Sequence, residues 1–234
     1  MSREKQDRKL WWASWALHGY TASGAVLGVL ALKAALAGEA LLSFQWMFWA
    51  IFIDGTDGML ARKLEVWKRV PQIDGRKLDD VVDYFTYVAV PILAMVQLGL
   101  LPDSIFIWAP PILASGFGFA NVSAKTDDDY FTGFPSYWNL VGLYVYLLEW
   151  PVWANSLLVL FLSALVFAPI RFIYPSKTKP LRAVTLGFGV VWTLQTLALV
   201  VCPHLLPEWW LPASLLYPIY YVAASLYLNR RPQG

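Results

Sequence analysis

Apolar residues in this 234-residue chain gather into long runs of about 18–24 residues, close to the roughly 20 that a helix needs to cross a bilayer. The runs lie near 12–33, 41–61, 78–99, 104–124, 137–150, 152–173, 182–202 and 210–228. They predict an all-α, polytopic integral membrane protein of about eight spans. The fifth run is short and carries Glu149 near its end; as a tilted or partial span it would bring the count to roughly six or seven. A soluble fold is excluded: 58% of the residues are hydrophobic and 15% charged, against about 45–50% and about 25% in soluble domains.

The basic residues test this layout, because short cytoplasmic loops collect them. With the N-terminus inside, Arg3, Lys5, Arg8, Lys9, Arg62, Lys63, Lys68, Arg69, Arg76 and Lys77 are cytoplasmic, as are Lys125, Arg171, Lys177, Lys179, Arg182, Arg230 and Arg231. Lys33 alone falls outside. So uneven a split predicts an even number of spans, with both termini cytoplasmic. Trp11, Trp12, Trp150, Trp153, Trp209 and Trp210 stand near span ends, as interfacial anchors do. The polar N-terminus leads into an apolar run without a small-residue cleavage site, which reads as a retained first span. No linker, repeat or low-complexity tract divides the chain, so residues 1–234 are expected to form a single membrane domain.

Cys202 is the one cysteine, which excludes an internal disulfide framework and a cysteine-based zinc site. His18 and His204 are the only histidines, too few for a histidine-rich metal site. The net charge of +2 is small and gives no reason to expect a nucleic-acid partner.

Charges within spans are costly and mark functional candidates. Asp54 and Asp57 lie three apart at the cytoplasmic end of the second span; Asp79 and Asp83 lie four apart at the start of the third. Each spacing puts its pair on one helix face, and a short loop makes the two helices antiparallel. Four carboxylates can thus aim at one point, where they must take up protons or gather cations. Hard cations with oxygen ligands, Mg²⁺ or Mn²⁺ and two of them, suit this set and suggest chemistry on phosphate oxygens. Gly55, Gly58 and Gly75 leave room for close approach, and Arg62 can pair with a phosphate. Asp74 and Asp80 read as solvated or helix-start residues. Lining the path of an ion or metal transporter is the alternative use of the same carboxylates.

These residues resemble the motif of the CDP-alcohol phosphotransferase family, D-x-x-D-G-x-x-A-R followed by G-x-x-x-D-x-x-x-D. Here it runs Asp54, Asp57, Gly58, Ala61, Arg62, then Gly75, Asp79 and Asp83. The gap between Arg62 and Gly75, from Lys63 to Asp74, is longer than in the usual pattern and is similar to that of the phosphatidylcholine synthase branch. So are HGYTASGA at 18–25 and FTGFPSYWN at 131–139. The resemblance implies transfer of a phosphatidyl group from CDP-diacylglycerol to choline, giving phosphatidylcholine and CMP by direct in-line attack. It implies that Asp54, Asp57, Asp79 and Asp83 hold metal, that Asp83 also takes the proton of the attacking hydroxyl, and that Gly58, Ala61, Arg62 and Gly75 bind CDP. It further implies an inner (cytoplasmic) membrane location with the active site at the cytoplasmic face, and a homodimer as the family-level arrangement.

Choline carries a quaternary ammonium, which favours aromatic faces. Tyr130, Phe131, Tyr137, Trp138 and Asn139, beside Asp127, Asp128 and Asp129, are the candidate acceptor region, and Tyr84 and Tyr87 follow the aspartates on the third span. Interfacial anchoring explains such aromatics as well. Arg171, Lys177, Lys179 and Arg182 are candidates for the anionic lipid headgroup, though topology alone also accounts for them. His18 reads as a packing or hydrogen-bonding residue more than as a base. Serine, inositol or glycerol phosphate in place of choline stays open as an alternative acceptor.

Overall fold

The computed structural model describes residues 3–121, 130–173 and 181–229, which are overwhelmingly helical. The chain divides into two compact units, Met1–Leu98 and Gly99–Gly234.

In the first unit, α1 (Arg3–Leu36) and α2 (Ala40–Leu64) form an antiparallel hairpin. The turn between them uses Gly38 at φ +76°, a conformation glycine adopts without steric cost. The pair is sealed by buried Ala31, Phe44 and Met47, and Ser43 Oγ donates to Ala31 O across it at 2.9 Å. One turn, α3 (Val66–Arg69), follows. A continuous helical rod then runs through α4 (Gly75–Asp83), a π-helical turn (Tyr84–Ala89) and α5 (Val90–Gln97). The π turn has a cause in the sequence. Pro91 has no N–H to give the carbonyl four residues back, and Val90 N bonds instead to Phe85 O, five back.

The rod lies close against α1 because two glycines of α1, four apart, face it. A Cβ on Gly24 would stand 2.9 Å from Val82 Cγ1, and one on Gly28 would stand 2.8 Å from Phe85 Cε1. Small residues at this spacing allow membrane helices to approach closely.

The second unit contains α6 (Ile105–Ala120), α7 (Trp138–Leu148), α8 (Val152–Leu165), α9 (Arg182–Val201), a 3₁₀ turn (Pro203–Leu205), α10 (Trp210–Ser214) and α11 (Leu216–Asn229). It also holds two three-residue strands, β1 (Tyr130–Thr132) and β2 (Arg171–Ile173), paired antiparallel with Phe131 opposite Phe172. The apolar run 152–173 is therefore helical only to Leu165. Pro169 disfavours the helical region for Ala168, and the freed Leu165 and Ile170 carbonyls accept from Phe134 N and Gly133 N at 2.9 and 2.8 Å. Gly133 sits at φ +84°, and a Cβ there would collide with the Val166 carbonyl. β2 is fastened to α11 by Ser225, Tyr221 and Asn229, which bond the backbone of Ile173 and Arg171.

Glu4–Leu36, Arg182–Val201 and Trp210–Asn229 are long and apolar enough to cross a membrane; three apolar helices, Ile105–Ala120, Trp138–Leu148 and Val152–Leu165, are shorter. Large apolar side chains such as Val26, Phe52, Phe106, Val190 and Leu194 point outward and half or more of each is exposed, a surface that suits lipid rather than water.

Candidate active site at an aspartate cluster

Of the four carboxylates expected to converge, three lie together. Asp54 and Asp57 stand two to three turns before the end of α2, and Asp79 on α4. One oxygen from each of Asp54, Asp57 and Asp79 lies within 4.8 Å of the others, the separation of ligands across the coordination sphere of one divalent cation, roughly 4–5 Å. Asp57 is buried, and Asp54 and Asp79 are partly open. Asp83, one turn further along α4, is outside this trio yet within electrostatic range of Asp54, Asp79, Asp57 and Asp80. Asp80 itself is exposed. Asp74 caps α4, accepting from Arg76 N and Lys77 N at 3.1 and 3.3 Å.

Two hydroxyls hold two members of the trio. Thr21 Oγ1 donates to Asp57 Oδ2 at 2.7 Å in a buried setting, and the Tyr87 hydroxyl donates to Asp54 Oδ2 at 2.6 Å. Tyr20 OH and Thr56 Oγ1 share a further bond of 2.8 Å beside them. Charge-assisted bonds of this length are about twice as strong as neutral ones. Tyr87 thus supports a carboxylate through its hydroxyl. It can do so because the wider π turn keeps residue 87 on the face of Asp79 and Asp83, where a regular helix would drift by about 40° over each four residues.

The remaining motif positions surround this cluster. Arg62, exposed on the last turn of α2, folds back so that its Nη1 would be 3.3 Å from a Cβ on Gly58. Ala61 is half-buried beside it. Gly75 opens α4 against His18, whose Cε1 would be 3.4 Å from a Cβ there. His18 Nε2 is buried with no hydrogen-bond partner among the described residues, and its ring packs edge-on to Trp15. The long gap between Arg62 and Gly75 is filled by structure. Glu65 turns the chain at φ +47°, α3 follows, and its ends are anchored by buried Val66 and Val70. Lys68 bonds the Glu65 carboxylate at 2.6 Å and holds it below the usual carboxylate range, although so exposed a pair adds little stability.

The residues singled out around the acceptor and the lipid headgroup belong to the second unit. Trp138 is fully buried, with its indole N–H on Ser115 Oγ at 2.8 Å and its ring edge-on to Phe134. Asn139 is buried and accepts from Leu140 N at 2.9 Å, while its Nδ2 has no partner among the described residues. Tyr137 precedes α7 and is half-buried. Arg171 opens β2 and Arg182 opens α9. Lys177, Lys179, Lys125 and Asp127 to Asp129 lie outside the described residues, as do the side chains of Tyr130 and Phe131.

Thr21, Tyr20 and Tyr87 were not legible as site residues from charge or spacing. The available signal was the segment HGYTASGA: His18, Tyr20, Thr21 and Gly24 each meet α2 or α4. As a donor set, three hard carboxylate oxygens with fixed outer partners fit a divalent cation such as Mg²⁺ or Mn²⁺.

No protein-family model matches the chain, but curated proteins do. It is 34% identical over 225 residues to a phosphatidylcholine synthase of Pseudomonas aeruginosa, covering 93% of this chain and 92% of that one. A phosphatidylcholine synthase of Borreliella burgdorferi is 32% identical over 233 residues, with 94% and 96% covered. One of Legionella pneumophila is 31% identical over 231 residues, with 95% and 91% covered. Likeness along nearly the whole length, in a helical membrane protein three of whose motif aspartates meet at one point, places the chain in the phosphatidylcholine synthase family, a branch of the CDP-alcohol phosphotransferases.

Proposed function

We propose that this chain transfers the phosphatidyl group of CDP-diacylglycerol to choline, giving phosphatidylcholine and CMP. The observation that carries the reading is the convergence of Asp54, Asp57 and Asp79 with Asp83 one turn away, in a chain alike along its length to phosphatidylcholine synthases. Asp54, Asp57, Asp79 and Asp83 would hold the divalent cations, two of Mn²⁺ or Mg²⁺, with Asp83 also placed to take a proton. When bound, the ions neutralise pyrophosphate charge and polarise the phosphoryl group under attack. Gly58, Ala61, Arg62 and Gly75 cradle the CDP moiety, with Arg62 free to swing from Gly58 onto a phosphate.

Asp83 accepts the choline hydroxyl proton on its carboxylate. The choline oxygen bonds to the phosphorus that carries the diacylglycerol, and the bond from that phosphorus to CMP breaks. Tyr130, Tyr137, Trp138 and Asn139 form the proposed acceptor region, supported by their aromatic content and by the unpaired Asn139 Nδ2. Arg171, Lys177 and Arg182 are proposed for the anionic headgroup of the donor. The whole chain works as one domain of about eight spans in the inner membrane, as a homodimer, with both termini and the aspartates at the cytoplasmic face.

The test uses the purified protein in detergent with CDP-diacylglycerol and Mn²⁺ or Mg²⁺, offered labelled choline, serine, inositol and glycerol phosphate in parallel. Lipid product and CMP with choline alone, abolished by chelator, is expected. Product with another alcohol would replace the acceptor, and no CMP with any of them would remove the transferase reading.

A further inference from the structure

We propose that Thr21 and Tyr87 are positioning residues that restrain Asp57 and Asp54 to one-oxygen binding, and so select a small six-coordinate cation over Ca²⁺. The inference rests on the metal role assigned above to the aspartates. Thr21 Oγ1 engages Asp57 Oδ2, and Tyr87 engages Asp54 Oδ2 in the same way. Each hydroxyl takes up one lone pair of its Oδ2 and fixes the rotation of the carboxylate, so turning that group to bind through both oxygens exchanges or bends the bond. At Asp57 that exchange is costly. Asp57 is 5% and Thr21 9% exposed, and a buried hydroxyl that loses its partner is left with an uncompensated desolvation cost.

The two classes of cation differ in what they ask of a carboxylate. Ca²⁺ takes six to eight oxygens at about 2.3–2.6 Å and commonly uses both oxygens of a carboxylate; Mg²⁺ requires a near-octahedral set at about 2.0–2.1 Å. With Asp57 and Asp54 each engaged at one oxygen, the site favours the second arrangement over the first.

The helices are built to keep these hydroxyls in place. Thr21 is β-branched, with few side-chain rotamers open to it in a helix. Its helix is fixed to α2 by the Tyr20–Thr56 and Ser43–Ala31 bonds, and to the rod by Gly24 and Gly28. Tyr87 is 8% exposed and is brought to Asp54 by the π turn. Neither residue carries charge, and neither belongs to the aspartate motif.

The experiment measures Mn²⁺ binding by electron paramagnetic resonance of the full chain in detergent, with Mg²⁺ and Ca²⁺ as competitors. The proteins compared are wild type, Thr21→Val, Thr21→Ser, Tyr87→Phe and Asp79→Asn. Wild type should bind Mn²⁺ and yield it to Mg²⁺ far more readily than to Ca²⁺, and Asp79→Asn should lose the site. Thr21→Val and Tyr87→Phe should bind Mn²⁺ about 10–100-fold more weakly, the usual effect of losing an outer partner. Their preference for Mn²⁺ over Ca²⁺ should fall at least as steeply. Thr21→Ser, which keeps the hydroxyl, should restore the wild-type preference. Unchanged preference in Tyr87→Phe and Thr21→Val, whatever happens to affinity, overturns the proposal while leaving the metal site standing. Absence of Mn²⁺ binding by folded wild type overturns the metal reading itself, and this inference with it.

Discussion

Gly28 of α1 stands so close to Phe85 of the π turn that a Cβ on Gly28 would lie 2.8 Å from Phe85 Cε1 and 3.1 Å from Val90 Cγ2. The spacing of α1 and the rod is therefore set by a missing side chain. It bears on the site because the same face of α1 carries Thr21, two turns away, to Asp57. Gly28→Leu should push the helices apart and destabilise the protein by about 1–3 kcal/mol, the usual result of overpacking. Thermal unfolding in detergent reads this loss, and Mn²⁺ binding by the folded fraction should weaken along with it. Full stability in Gly28→Leu would show that the interface yields elsewhere.

In the proposed function Asp83 would take the hydroxyl proton in addition to sharing the cations with Asp54, Asp57 and Asp79. Asp83→Asn should lower turnover about 10²–10⁴-fold, the range for loss of a positioned base, while CDP-lipid binding stays near wild type. Asp57→Asn should weaken cation and donor together, by more than the roughly 10–100-fold of an outer-shell partner. Single-turnover CMP release and equilibrium CMP binding distinguish the two. Near-normal turnover in Asp83→Asn would falsify the base assignment.

In the second unit, Ser115 Oγ accepts from both Ser136 Oγ and Trp138 Nε1, at 2.9 and 2.8 Å, and all three residues are buried. Ser115→Ala leaves two buried donors without a partner, each costing about 1–3 kcal/mol. Ser156→Ala is the contrast, since the Ser156 hydroxyl only returns to Val152 O of its own helix and little should be lost. Differential scanning fluorimetry of the two variants should rank them in that order. Equal stability of the two would mean that water satisfies the Trp138 indole.

The parts of this protein that could be read from sequence are those governed by local rules. Apolar run lengths located the helices, and spacings of three and four located the carboxylates on common faces. What escaped was set by neighbours distant in the chain. Nothing near Thr21 foretells Asp57, thirty-six residues on. Tyr87 looked like one aromatic among many until the π turn, itself a consequence of Pro91, faced it to Asp54. The run 152–173 had the composition of a span, yet its last third is a turn and a strand, because β1 supplies a partner from another part of the chain. The long gap after Arg62 became a helical turn for a similar reason: Val66 and Val70 are buried against the first unit.

Orientation in the membrane can be tested at the rod that carries Asp79 and Asp83. Lys68 precedes the rod and Asp103 follows it, and both are exposed. The distribution of basic residues puts Lys68 on the cytoplasmic side, and a single crossing between them then puts Asp103 on the other. Cys202 is the sole cysteine, so Cys202→Ser gives a background for Lys68→Cys and Asp103→Cys. With a membrane-impermeant maleimide, Asp103→Cys should label in intact spheroplasts and Lys68→Cys only after lysis. The reverse pattern would invert the protein and move the aspartates to the outer face. Labelling of both from one side would mean that Gly75–Gln97 does not cross the bilayer, and that the carboxylates enter the membrane on a helix that turns back within it.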